Sequence, residues 1–341
     1  MNSLLDPIQI GDLHLPNRVI MAPLTRLRGT PENIPTQLMV EYYTQRASAG
    51  LIITEGIPVV PQGVGYANVP GIWSTEQIEG WKLVTKSVHS AGGRISDPRF
   101  LEGKLPVAPS AIQPAGHVSL VRPVTEYVTP RALETSEIPD IVEAFRKGAE
   151  HAKVAGFDGV EIHGANGYLL DQFLQDGTNH RTDEYGGSIE NRARLMLEVA
   201  DAVISVWGAK RVGMHLAPRG DSHDMHDSNP PATFGYVARE LGKRGLGFLF
   251  AREFFGHDRL GPQLKKQFGG IYIANERYTL AQANQVIQEG EADAVAFGQL
   301  FIANPDLPAR FARNASLNVP DGSTFFTAGP HGYTDYPALS V

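Results

Sequence analysis

Cysteine is missing from all 341 residues, which removes disulfides, thiolate metal ligands and cysteine nucleophiles together. That absence fits a reducing compartment, and a cytoplasmic protein is the expectation. Long apolar runs are missing too: none approaches the roughly 18 residues expected of a membrane span. The first residues carry no basic stretch leading into an apolar one, so no secretory leader is expected. Positive charge is the scarcer sign, with 30 Lys and Arg against 37 Asp and Glu for a net −7. No basic cluster stands out, which argues against nucleic acid as a partner. There is no repeat at solenoid spacing and no low-complexity tract.

What is present is enough apolar material, 42% of residues, to bury a large core without staples. The chain is long for one domain, yet an α/β barrel often reaches this size, and one domain spanning residues 1–341 is expected. Residues Pro7 to Pro16 alternate apolar and polar around Gly11-Asp12, the pattern of a hairpin lid. Strand and helix then alternate. Apolar β-branched pieces at Val19–Leu24, Leu51–Thr54, Phe157–His163, Arg211–Ala217, Leu246–Ala251, Ile271–Ala274 and Ala292–Phe297 read as strands. Helical segments separate them, and Ser74-Thr75-Glu76-Gln77 has the form of a helix N-cap. The fold class is therefore α/β, a (β/α)8 TIM barrel with an N-terminal hairpin, in which one barrel strand is missing or shortened. The rhythm breaks after Gly92-Gly93, where a buried strand is due and Arg94-Ile95-Ser96-Asp97-Pro98-Arg99 supplies two or three suitable positions. From Leu101 to Thr135 the chain is rich in Pro, Ala and Ser, and a connection of that length is functional or mobile.

In such a barrel the chemistry sits at the C-terminal strand ends. The apolar run Phe157–Ile162 ends in His163, Asn166 and Tyr168, three hydrogen-bond donors. His163 and Asn166 can together polarise one carbonyl or nitro oxygen, and Tyr168 can deliver a proton. The bland alternative is a His and an Asn satisfying loop backbone beside a structural tyrosine. Asn275 and the Gly298-Gln299 turn end two late strands, where backbone N–H groups commonly hold phosphate; two ordinary tight turns are the alternative. The run Ser222-His223-Asp224-Met225-His226-Asp227 resembles a metal cluster but reads as a solvated loop, so no metal is expected.

Several motifs stand in one order: Ala22-Pro23-Leu24-Thr25-Arg26, His163-Gly164-Ala165-Asn166-Gly167-Tyr168, the run Arg181 to Arg192, Ala294 to Gly298, and Gly332-Tyr333-Thr334-Asp335-Tyr336-Pro337. Together they resemble the old yellow enzyme family, most nearly its bacterial N-ethylmaleimide and xenobiotic reductases. The resemblance implies a barrel holding FMN, with NADPH or NADH as co-substrate, that reduces activated C=C bonds and nitro compounds. It places Pro23, Leu24, Thr25, Gly56, His163 and His215 around the flavin and Asn275, Gly298 and Gln299 at its phosphate. It also implies that His163 and Asn166 grip the substrate oxygen, that Tyr168 protonates the substrate, and that Tyr66 and Tyr333 line the pocket. The partner implied is a small electrophilic alkene or nitro compound, with no nucleic acid and no membrane, for a monomer or homo-oligomer.

Three departures from the family pattern follow. His215 stands where many members have an arginine near the flavin, and Gln299 replaces an arginine near the phosphate. The family's third strand, with its glutamine and tryptophan, is absent between Ile95 and Ser96. A barrel with an open ladder would lose several kcal/mol, near the whole stability of a domain. A non-catalytic or weakly flavin-binding barrel is therefore the alternative function.

Overall fold

The computed structural model describes residues 3–100, 107–117, 126–220 and 222–340. Two short strands, β1 (Ile8–Ile10) and β2 (Leu13–Leu15), pair antiparallel. The barrel follows: β3 (Val19–Met21), α1 (Gln37–Gln45), β4 (Leu51–Ile53) with the short β5 (Ile57–Pro58), α2 (Thr75–Ser90) and β6 (Ile95–Phe100). After the small pair β7 (Val107–Ala108) and β8 (Arg131–Ala132) come α3 (Ile138–Val154), β9 (Gly159–Gly164), α4 (Leu169–Leu174) and α5 (Ile189–Trp207). The remainder is β10 (Val212–Leu216), α6 (Pro230–Lys243), β11 (Phe248–Arg252), α7 (Gly261–Phe268), β12 (Ile271–Asn275), α8 (Leu280–Gln288), β13 (Ala294–Phe297), α9 (Gln299–Ala303) and α10 (Leu307–Ala312).

The barrel strands run β4-β3-β13-β12-β11-β10-β9-β6, and β6 pairs back onto β4. Every pairing in this ring is parallel. Because both faces are covered, these strands are apolar rather than alternating. The outward faces of β9 and β10, Val160, Ile162, Met214 and Leu216, pack in the layer shared with the helices. The lumen has its own core of Ile20, Leu51, Ile53, Phe248, Phe250 and Ile273, capped by Ile10, Leu13 and Leu15 of the hairpin. The expected hairpin lid is thus a plug at the N-terminal end of the barrel. Gly11 makes the plug's turn possible: its φ is +56° and a Cβ there would lie 1.8 Å from the Lys210 carbonyl oxygen.

The expectation of a missing third strand is corrected here. Ile95–Phe100 forms β6, six residues long, in register with β4 on one side and β9 on the other. The backbone bonds are of ordinary length: Ile52 N–H donates to the Arg94 carbonyl (2.8 Å), Thr54 N–H to that of Ser96 (2.9 Å) and Asp158 N–H to that of Ile95 (3.0 Å). Asp158 also fixes the start of the strand, accepting from Ile95 N–H at 3.0 Å and contacting His89 Nε2 at 2.8 Å. The physical reason is that ladder groups of β4 and β9 must be satisfied, and any extended backbone can do so. The segment lacks an apolar pattern, which is what the sequence reading required of a strand. The ground for expecting an open, weakened barrel is therefore removed. Residues 101–106 and 118–125 of the long Leu101–Thr135 segment lie outside the described residues.

Candidate functional site

Residues two apart on a strand share a face, so Glu161 and His163 of β9 both point into the lumen while Val160 and Ile162 pack outward. Register places His215 of β10 beside His163, and Phe250 of β11 beside His215. The rings follow: His163 and His215 have centroids 4.8 Å apart, and His215 and Phe250 4.3 Å apart. Above this layer opens a cavity of about 790 Å³. Its wall includes Pro23, Leu24, Thr25, Gly56, His163, Asn166, Tyr168 and His215, together with Asn275, Gly298 and Gln299. Eleven positions scattered across the sequence therefore meet at one place.

The loop after β9 is built tightly. Asn166 and Gly167 both have positive φ (59° and 74°), a turn that Asn and Gly enter most easily. Asp171, on α4, holds it by accepting from Gly167 N–H at 2.9 Å, and Gln175 donates to the same carboxylate at 2.8 Å. Asn166 Nδ2 lies 3.4 Å from His163 Nε2, so the two groups adjoin at the cavity. Tyr168 is edge-on to His163, centroids 5.5 Å apart. Burial holds the His163 imidazole well below its ordinary range, and neighbouring His215 and Arg252 lower it further. Burial, then Arg252, pushes His215 down to about 3. Both rings are therefore neutral near pH 7, able to donate hydrogen bonds without bringing charge.

Two walls come from loops tied to each other. Glu55, buried beside Gly56, accepts from Arg26 N–H (3.0 Å) and Leu27 N–H (3.3 Å), which fixes the loop carrying Pro23, Leu24 and Thr25. Asn275 Nδ2 donates to the Ala296 carbonyl at 2.8 Å, joining the loops after β12 and β13. Gly298 follows at the start of α9, and a Cβ there would come within 3.2 Å of Leu24 Cδ2. The backbone at that point lies against the cavity wall.

Arg252, Glu276, Arg277 and His223 are among the wall residues that the sequence did not point to. Arg252 Nη1 donates to Asn166 Oδ1 at 2.8 Å, and its Nε is ion-paired with Glu276. Arg277 is on the same wall and 3.5 Å from Glu276. His223 donates from Nδ1 to the Asn166 carbonyl at 3.0 Å. Positive φ at Glu276 and Arg277 (106° and 54°) would have been suggested by a glycine, and none is there.

Two expected residues are elsewhere. Tyr333 is fully buried and stacks on Tyr42 with centroids 4.0 Å apart and planes 3° apart. Arg26 and Arg28 lie over its ring at 5.0 and 4.6 Å, so it anchors the C-terminal segment to α1 and does not line the cavity. Tyr66 is half-buried in the turns after β5 and is not among the cavity wall residues. In the Ser222–Asp227 run, Asp227 pairs with Arg192 at 3.2 Å, and His226 Nδ1 donates to the Asp224 carbonyl at 2.9 Å.

The residues present fit a flat, hydrogen-bonding cofactor with a phosphate. His215 Nε2 is buried at the wall without a hydrogen-bond partner among the described residues, so it can take an acceptor or donor from a bound group. The first amides of α9 lie beyond reach of intrahelical acceptors, with Gln299 beside them. Among described residues no helix is long and apolar enough to cross a membrane.

Comparison with known proteins accords with this geometry. Residues 3–318 match the model of the NADH:flavin oxidoreductase / NADH oxidase family. A 12-oxophytodienoate reductase 1 of Oryza sativa subsp. japonica is 44% identical over 361 aligned residues, covering 98% of this chain and 93% of the relative. A "Probable flavin mononucleotide-dependent alkene reductase" of Leishmania infantum is 41% identical, covering 98% and 97%. Among solved structures, morphinone reductase in complex with tetrahydroNAD superposes with a TM-score of 0.95 at 47% identity, covering 100% of this chain and 98% of that one. An old yellow enzyme homologue from Zymomonas mobilis gives 0.96 at 43%, covering 99% and 100%.

Proposed function

The chain belongs to the NADH:flavin oxidoreductase / NADH oxidase family, and from that premise we propose that it is an FMN-dependent reductase of activated C=C bonds in small molecules, with NADPH or NADH as reductant. One catalytic domain spans residues 1–341. The observation that carries this reading is the meeting of His163, Asn166 and Tyr168, from one strand end, on the wall of a cavity bounded by the loops after β3, β12 and β13.

FMN, when bound, would supply the hydride chemistry that links a nicotinamide to an alkene carbon. Pro23, Leu24, Thr25, Gly56 and His215 would hold its ring. Asn275, Gly298 and Gln299 would hold its phosphate, largely through backbone amides, since Arg252 is already neutralised by Glu276. His163 and Asn166 bind and polarise the substrate's carbonyl or nitro oxygen. Two neutral donors suit an oxygen that gains charge in the transition state and pays no desolvation penalty beforehand. Asn166 can donate from Nδ2 because Arg252 occupies its Oδ1. Tyr168 donates the proton to the substrate's α-carbon from its phenol. Nitro compounds present an equivalent oxygen to the same two donors.

The test is Tyr168→Phe in the FMN-loaded protein. Enone reduction should slow by about 100-fold, in line with general-acid contributions, while reduction of the flavin by NADPH stays unchanged. Equal loss in both half-reactions would show that Tyr168 is not the proton donor.

A further inference from the structure

Beneath the cavity floor, Glu161 is completely buried and His215 almost so, at 0% and 3% exposure. Glu161 Oε1 lies 3.2 Å from His215 Nδ1, while Glu161 Oε2 and His215 Nε2 both lack hydrogen-bond partners among the described residues. The two side chains therefore form a short chain with one open end, His215 Nε2, at the cavity wall. We propose that Glu161 is a positioning residue: as a protonated acid it donates to His215 Nδ1 and so presents His215 Nε2–H as a fixed neutral donor to the bound cofactor. This inference rests on the flavin reading of the cavity for its ligand and on buried geometry for its hydrogen-bond direction.

Three observations support it. A carboxylate that the surrounding protein gives no cationic partner is costly to bury, and neutralisation is the usual escape. No charged group offsets burial at Glu161, whose carboxyl is driven well above the ordinary range by desolvation alone. The ring, in turn, is held neutral by burial and by Arg252, which together outweigh the smaller pull of Glu276 toward the imidazolium. If both groups are neutral and Nδ1 faces an acid, Nδ1 must accept and Nε2 must carry the hydrogen. Glu161, His163 and His215 also bring ligand atoms within 4.8 Å of one another. Within that group the short contact is Glu161 Oε1 to His215 Nδ1, at 3.2 Å.

An acceptor on the ring edge of FMN is the matching chemistry. A neutral donor there binds the oxidised ring by a hydrogen bond and lends no positive charge to the reduced one. Glu161→Gln keeps a donor for Nδ1, since its amide N–H can replace the acid proton, whereas Glu161→Met leaves Nδ1 with no donor.

The first measurement uses the whole protein without cofactor: histidine-selective ¹⁵N NMR, with His215→Asn for assignment, and infrared difference spectra of Glu161→Gln against wild type. The expected result is a pyrrole-type Nε2 and a pyridine-type Nδ1 for His215, unchanged from mildly acidic to mildly alkaline pH. A carboxylic-acid carbonyl band should accompany it and vanish in Glu161→Gln. The second is fluorescence titration with FMN, where Glu161→Gln should bind within about twofold of wild type and Glu161→Met about tenfold more weakly, the effect of roughly one lost hydrogen bond. A pyrrole-type Nδ1, an imidazolium, or Glu161→Gln as damaging as Glu161→Met would overturn the assignment. Failure of every variant and the wild type to bind FMN would sink the flavin reading instead, while the two spectroscopic results would still decide the dyad.

Discussion

Arg252 shows how much a single side chain can set at this site. It reaches from the end of β11 to Asn166 Oδ1 (2.8 Å) and to Glu276, and by occupying the amide oxygen it turns the amide nitrogen toward His163. Arg252→Met should lower kcat/KM for an enone by about tenfold, near the value of a charge-assisted hydrogen bond acting through Asn166. Arg252→Lys keeps a cation beside Glu276 but loses the planar fork. Comparable losses in both variants would assign the effect to Asn166, and a loss confined to Arg252→Met would assign it to the uncompensated Glu276. Nothing in the sequence marked Arg252, because an arginine after a buried strand looks like any exposed terminal charge. The polar cluster His163, Asn166 and Tyr168 was legible, since three donors broke an apolar run. Tyr333 was misplaced for the opposite reason: an aromatic side chain reads the same whether it faces a ligand or stacks on Tyr42.

Among the elements, β6 is the least conventional. Ile95 is its one strongly apolar residue near the start, and Ser96 is buried with a hydroxyl that has no partner among the described residues. A buried unsatisfied hydroxyl costs about 1–3 kcal/mol. Ser96→Ala should therefore leave stability unchanged or raise it by about 1 kcal/mol, which chemical denaturation can read; a drop of that size would mean that the hydroxyl is satisfied. The α4 turn carries a second test. Burial pushes the Asp171 carboxyl up to about 7, against the hydrogen bonds from Gln175 and Gly167. Unfolded, it titrates near 3.9. The folded state thus holds a proton that the unfolded state releases, and this stability is complete below about pH 4 and lost as pH rises through about 7. Asp171→Asn should flatten that part of the stability profile relative to wild type, and identical profiles would contradict the assignment. Helices such as α2, with its Ser74–Gln77 capping box, were readable from local chemistry. The strand β6 was not, because its formation is dictated by the unpaired backbones of β4 and β9 rather than by its own side chains.

At the scale of the molecule, the barrel is closed at one end by the β1–β2 plug and opens at the other into the cavity. The alternation of strands and helices made that architecture legible, since each apolar run needed covering on both faces. What the alternation could not convey was closure, which depends on pairing between segments far apart in sequence. Because the ring is continuous, a working flavin site is expected despite a third strand of unusual composition. The direct measurement is an anaerobic cycle on purified protein incubated with FMN and freed of excess. The expected result is one FMN retained per chain, bleaching of its absorbance by NADPH or NADH, and full return of colour on adding an enone with the saturated ketone as product. A protein that retains no FMN, or whose reduced flavin is not reoxidised by the enone, would contradict it.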